Sequence, residues 1–184
     1  MDTLLNSALL VFLSEMGDKT QLLALVLAAR FKAPWTIMAG IFVATVLNHA
    51  LAAWSGGFIA SLVSPEVLTW VLALTFFAFA IWILIPDKAD ENETKGRFGA
   101  FLTTVIAFFL AEMGDKTQLA TIALGAHYSN TSLVTLGTTL GMMFSNALAV
   151  FAGDSLLKRI PMKWIRIFAS LSFTGFGFAV LFGL

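Results

Sequence analysis

Glu15-Met16-Gly17-Asp18-Lys19-Thr20-Gln21-Leu22 recurs unchanged as Glu112-Met113-Gly114-Asp115-Lys116-Thr117-Gln118-Leu119, 97 residues further on. The same offset pairs Gly40 with Gly137, Ala50-Leu51-Ala52 with Ala147-Leu148-Ala149, and Gly56 with Gly153. Eight consecutive identities, four of them charged or amide-bearing inside apolar surroundings, mark an internal duplication. What the copies are embedded in decides the fold.

Of 184 residues, 59% are hydrophobic and 12% charged. A water-soluble domain carries about 25% charged residues, so the polar surface needed to face water is missing and the chain reads as a membrane protein. Six apolar stretches are long enough to cross a hydrocarbon core, near 3–29, 35–62, 67–85, 99–125, 131–155 and 163–183. Pro34, Pro65 and Pro161 each stand just before an apolar run, where a missing N–H is tolerated at a helix start. The first stretch is too long for a secretion signal and holds Glu15, Asp18 and Lys19, so it is expected to be retained.

Between the third and fourth stretches, Pro86 to Arg97 holds four acids and three bases, a segment too polar for lipid. It divides the chain into a first three-helix repeat (1–85), a polar linker (86–98) and a second three-helix repeat (99–184). An odd number of spans per repeat makes the second copy enter the membrane from the opposite side. The expected architecture is all-α, six transmembrane helices as two inverted repeats, with both motifs near mid-membrane.

Arg30, Lys32, Lys88, Lys95, Arg97, Lys158, Arg159, Lys163 and Arg166 all fall on one face, and the other face carries no Lys or Arg. The positive-inside rule then puts the basic face and the linker in the cytoplasm and both termini outside. Trp35, Trp70, Trp82 and Trp164 lie near span ends, as headgroup-level anchors or as packing between helices. Zero cysteines exclude disulfides, thiolate metal sites and thiol catalysis, and two histidines offer little to zinc or copper. A formal net charge of zero gives no reason to expect nucleic acid.

Six ionisable side chains near mid-membrane carry an insertion cost of roughly 15–20 kcal/mol, so pairing must recover most of it. If the helices run unbroken, Glu15 and Asp18 share a face and Glu15 with Lys19 has favourable i, i+4 ion-pair spacing, as do Glu112 and Lys116. Four carboxylates and two lysines sum to −2, one divalent cation short of neutrality. Carboxylate oxygens of Glu15, Asp18, Glu112 and Asp115, with amide oxygens of Gln21 and Gln118, form a hard-oxygen set suited to magnesium, calcium or manganese. Without a cation the acids repel one another and take up protons, which is the alternation a cation/proton exchanger needs.

Gly17 and Gly114 serve either close helix approach or a local break that exposes carbonyls. Asn48 with His49 matches Ser145 with Asn146 across the repeat, and Asn48 and Asn146 are candidate supporting ligands. His49 reads as a satisfied interior histidine, Met16 and Met113 as packing or thioether ligands, and Asp154 as a surface partner of Lys158.

Twin Glu-x-Gly-Asp-Lys-Thr motifs in the first and fourth spans of a six-helix chain resemble the small divalent-cation exporters, which include bacterial manganese exporters and Golgi-type calcium/manganese–proton exchangers. The resemblance covers the whole chain, with no departure in either copy. It implies a transporter and not an enzyme, moving manganese(II), or calcium in some members, with protons as counter-ion and no cofactor. It also implies that Glu15, Asp18, Glu112 and Asp115 bind the cation while Lys19, Thr20, Lys116 and Thr117 complete the signature. A bacterial inner-membrane location is expected, in contact with lipid, and a homo-oligomer is compatible with the sequence.

Competing readings are an exporter of a cationic amino acid, with Lys19 and Lys116 meeting its carboxylate, and a passive cation channel. An intramembrane aspartyl protease fits poorly, because a Lys follows each Asp and would disturb a dyad that shares one proton.

Overall fold

A computed structural model describes residues 2–85, 98–128, 130–153 and 161–183. Those residues form helices joined by short turns, with no strand among them. In chain order the helices are α1 (Asp2–Glu15), α2 (Lys19–Phe31), α3 (Pro34–Leu62), α4 (Pro65–Trp82), α5 (Ala100–Glu112), α6 (Lys116–Tyr128), α7 (Thr131–Ala147) and α8 (Met162–Phe182). A π-helical turn, Leu148–Ala152, continues α7 and ends at Gly153. Pro34 and Pro65 sit in the first turns of α3 and α4, and Asn130 caps α7 by accepting from the Leu133 N–H at 3.1 Å.

Four helical stretches are long and apolar enough to cross a membrane: Pro34–Leu62, Pro65–Trp82, Thr131–Ala152 and Met162–Phe182, with Ala100–Glu112 as a shorter apolar helix. Large apolar side chains cover the outside, and Trp35, Trp70 and Trp164 are well exposed there rather than packed between helices. A surface of this kind is stable against lipid and not against water, and the chain is a multi-pass membrane protein.

The first and fourth apolar stretches are not the continuous helices expected from hydropathy. Each breaks at its motif glycine, because Gly17 and Gly114 both take φ +77°, a left-handed conformation that other residues enter only at a cost. α1 therefore ends at Glu15 and α2 restarts at Lys19, while α5 ends at Glu112 and α6 restarts at Lys116.

Helix packing follows the duplicated glycines in one half of the molecule and departs from them in the other. A Cβ at Gly40 would stand 2.7 Å from Thr104 Cβ of α5, and one at the matching Gly137 would stand 2.5 Å from the Leu4 carbonyl of α1. Equivalent pairs, α3 on α5 and α7 on α1, thus approach closely through equivalent glycines. By contrast, Gly56 meets the Ile122 carbonyl of α6, where a Cβ would lie 2.0 Å away, and Gly125 meets Ala53, so that α3 and α6 touch backbone to backbone. The repeat counterpart of Gly56, Gly153, has nothing within 4 Å of such a Cβ among the described residues. α4 and α8 meet through rings, Phe76 and Phe79 against Phe173 at 6.3 and 5.9 Å between centroids.

The polar linker, apart from Phe98, lies outside the described residues. So do Lys88, Lys95, Arg97, Asp154, Lys158 and Arg159.

Candidate functional site

Breaking a helix leaves its last carbonyls and the next helix's first N–H groups without partners. Both breaks repair this in the same way. Asp18 and Asp115 return their N–H groups to the carbonyls of Glu15 (3.1 Å) and Glu112 (3.2 Å), and Gly17 and Gly114 donate to the side-chain oxygens of Gln21 (2.8 Å) and Gln118 (2.7 Å). The glutamines expected as ligands are thereby braces of the turn, each with its amide oxygen already accepting one hydrogen bond. Each glutamate closes a half-helix whose C-terminal end is partially negative, and each aspartate opens one whose N-terminal end is partially positive.

The motifs meet. Lys116 Nζ lies 3.0 Å from Asp18 Oδ1, and Lys19 Nζ lies 3.4 Å from Asp115 Oδ2. The i, i+4 pairs expected within each motif are replaced by pairs that cross between motifs. The cause is the break: once Gly17 and Gly114 interrupt the helices, Glu15 and Lys19 no longer share a helical face. Asp18 and Lys116 are almost fully buried, whereas Lys19 retains 28% side-chain exposure.

The two glutamates, identical in sequence context, are held differently. Glu15 accepts from Thr20 Oγ1 at 2.7 Å and from Thr117 Oγ1 of the other motif. Glu112 is equally buried, and neither of its carboxylate oxygens has a hydrogen-bond partner among the described residues. Among the described residues no three His, Asp or Glu side chains form a ready cage for a metal ion. Glu15, Asp18, Glu112 and Asp115 supply the hard-oxygen groups of the site, and the lysine ammoniums pair with the two aspartates.

The surroundings of the turns also differ. Gln21 donates to the Ser145 carbonyl of α7 at 2.9 Å and to Met16 Sδ at 3.6 Å, which leaves Met16 only 4% exposed, while Met113 is 57% exposed. Over Gly17 lie Met162 and Arg166 of α8, and over Gly114 nothing among the described residues lies within 4 Å. Sequence reading did not find Met162 and Arg166, since no spacing links α8 to Gly17. Ser145 was noticed only as the repeat partner of Asn48. Asn48 donates to the Phe109 carbonyl at 3.1 Å, tying α3 to α5, and Asn146 donates to Met142 one turn back in its own helix. His49 is interior as expected but not satisfied: neither ring nitrogen has a hydrogen-bond partner among the described residues.

An all-helical membrane protein that gathers two copies of an acidic motif at paired helix breaks has the makings of an ion transporter built by duplication. Comparison with known proteins sharpens that class. The profile of the family described as "Divalent cation/proton antiporter GDT1" matches residues 3–91 and 100–184, and the chain belongs to this family. A Vibrio cholerae protein named "Putative manganese exporter" is 50% identical over 90% of this chain and 84% of its own length. GDT1-like protein 5 of Arabidopsis thaliana is 28% identical over 94% of this chain and 92% of its own. GDT1-like protein 3 of Oryza sativa subsp. indica is 26% identical over 98% and 74% respectively. No solved structure matches the chain. The protein is a divalent-cation transporter, and its family is a class of transporters, not of enzymes.

Proposed function

We propose that the protein exports manganese(II) from the cytoplasm in exchange for protons by alternating access, with calcium as the alternative cargo. The carrying observation is that the two motifs, one from each half of the sequence, are joined across their copies by Lys116–Asp18 and Lys19–Asp115. Glu15, Asp18, Glu112 and Asp115 bind the cation, which takes the place of the lysine ammoniums as counter-charge to the aspartates. Protons reaching the acids from outside promote release. In this reading α1 with α2 and α5 with α6 each count as one broken span. The chain then has six spans in two inverted repeats, 1–85 and 99–184, joined by the cytoplasmic linker 86–98. Both termini face outward from a bacterial inner membrane.

Moving a divalent cation outward against 100 mV, negative inside, costs about 4.6 kcal/mol, from roughly 2.3 per charge. A coupled energy source is therefore needed. The family's description as a cation/proton antiporter and the manganese-exporter name of the Vibrio cholerae relative support this choice of driving ion and cargo.

The test is a series of manganese, calcium and arginine in proteoliposomes at two pH values, with and without an imposed proton gradient. The expected result is uphill manganese movement that requires the gradient and is lost in Glu15→Gln and Asp115→Asn, both still inserted. Flux that only follows the manganese gradient would make the protein a channel. Arginine transport without metal transport would make it an amino-acid exporter.

A further inference from the structure

Two identical octapeptides stand in non-identical surroundings, so the difference between Glu15 and Glu112 comes from arrangement and not from chemistry. Glu15 is gripped by one hydroxyl from its own motif, Thr20, and one from the other, Thr117. Glu112 has the equivalent two threonines, Thr117 five residues on in its own motif and Thr20 in the other, and receives a hydrogen bond from neither, with both oxygens buried and without a hydrogen bond among the described residues. A buried carboxylate in that position is expensive unless it acquires donors or a cation.

We infer that Thr20 and Thr117 form one shared clasp that closes on a single motif glutamate at a time, on Glu15 as seen here and on Glu112 in the alternate arrangement. The inference deepens the transport reading and rests on it in one respect, that the two motifs exchange roles during the cycle. The threonines are then positioning residues. They hold one glutamate in place while the other is left without donors and ready for a cation or a proton. Neither hydroxyl need coordinate the ion.

A clasp that moves couples Thr20 to Glu112, which share no hydrogen bond in this structure, and a clasp fixed on Glu15 does not. The chain contains no cysteine, so a single introduced thiol is the only one present. Met113 is 57% exposed and its repeat counterpart Met16 4%, so the reactivity of Met113→Cys relative to Met16→Cys toward a maleimide in proteoliposomes reads which arrangement dominates. Thr20→Val alone weakens the clasp in both arrangements, and the ratio is expected to move less than twofold. In a Glu112→Gln background the alternate arrangement has already lost its charged acceptor. There Thr20→Val is expected to lower the ratio about tenfold, the lower end of what a hydrogen bond to a charged group contributes.

An equal effect of Thr20→Val in both backgrounds, or none in either, overturns the moving clasp. Thr20→Ser, which restores the hydroxyl, is expected to return the ratio to its starting value, and Thr117→Val repeats the test from the other motif should Thr20→Val fail to insert. The readout is labelling and not flux. Failure of manganese transport would therefore sink the proposed cargo without touching this result, and the converse holds.

Discussion

Replacing Lys116 with Met removes the ammonium that pairs with Asp18 while keeping the apolar stem of the side chain. The pair is buried on both sides, 7% and 1% exposed, with Nζ and Oδ1 3.0 Å apart. Removing one partner of a buried pair leaves an uncompensated charge and costs about 3–5 kcal/mol, with the lower end expected here because Asp18 can take up a proton. The sister change, Lys19→Met, breaks a longer pair whose lysine is 28% exposed at 3.4 Å. Solvent screening brings that pair toward the surface regime, about 1 kcal/mol. The assay is the unfolding free energy of purified protein in mixed detergent, with a double-mutant cycle of Lys116→Met and Asp18→Asn. We expect Lys116→Met to cost about 2 kcal/mol more than Lys19→Met, and a coupling of at least about 1 kcal/mol in the cycle. Coupling near zero between Lys116 and Asp18 would refute the crossed pairing, and equal costs would refute the difference in burial between the two pairs.

Gly17→Ala and Gly114→Ala both force a side chain onto φ +77°, at about 1–2 kcal/mol each. Gly17→Ala also places its Cβ 3.0 Å from Met162 Sδ, so melting should show the larger loss at Gly17, and Met162→Ala should remove the difference. Gly56→Ala would set a methyl 2.0 Å from the Ile122 carbonyl, a backbone atom that cannot swing aside, so α3 and α6 must separate. A stability loss of about 1–3 kcal/mol is expected in the same melting assay, and an unchanged midpoint would show that the α3–α6 contact is not as close as described.

The duplication, the long apolar stretches and the presence of acids within them were legible as residue strings, because identity at a fixed offset and runs of apolar residues require no knowledge of geometry. Pairing was not. Arithmetic on i and i+4 assumes the helix continues, and Gly17 and Gly114 stop it between the residues being paired. The glycines themselves were the available signal, but close packing and a break predict the same letter. What separates Glu15 from Glu112 has no signal at all in the motifs, which are the same eight residues twice. Arg166 could be seen only as one more cytoplasmic base, since its approach to Gly17 depends on how α8 leans on the first motif.

The remaining asymmetry does have a trace in sequence, outside the motifs. α6 reaches α3 because Gly125 lets the Ala53 backbone come within what would be 2.3 Å of a Cβ. The residue 97 positions earlier is Ala28, on α2. Under the inverted-repeat reading, exchanging the roles of the two halves asks α2 to lie on α7 as α6 now lies on α3, with a methyl at the position where α6 has none. A methyl that close to backbone costs about 1–3 kcal/mol, enough to weight two otherwise equivalent arrangements at least several-fold. Under that reading, identical motifs would make the two arrangements chemically interchangeable, and the unlike residues at Gly125 and Ala28 would weight one of them as the resting form, a preference that binding of a cation would have to overcome.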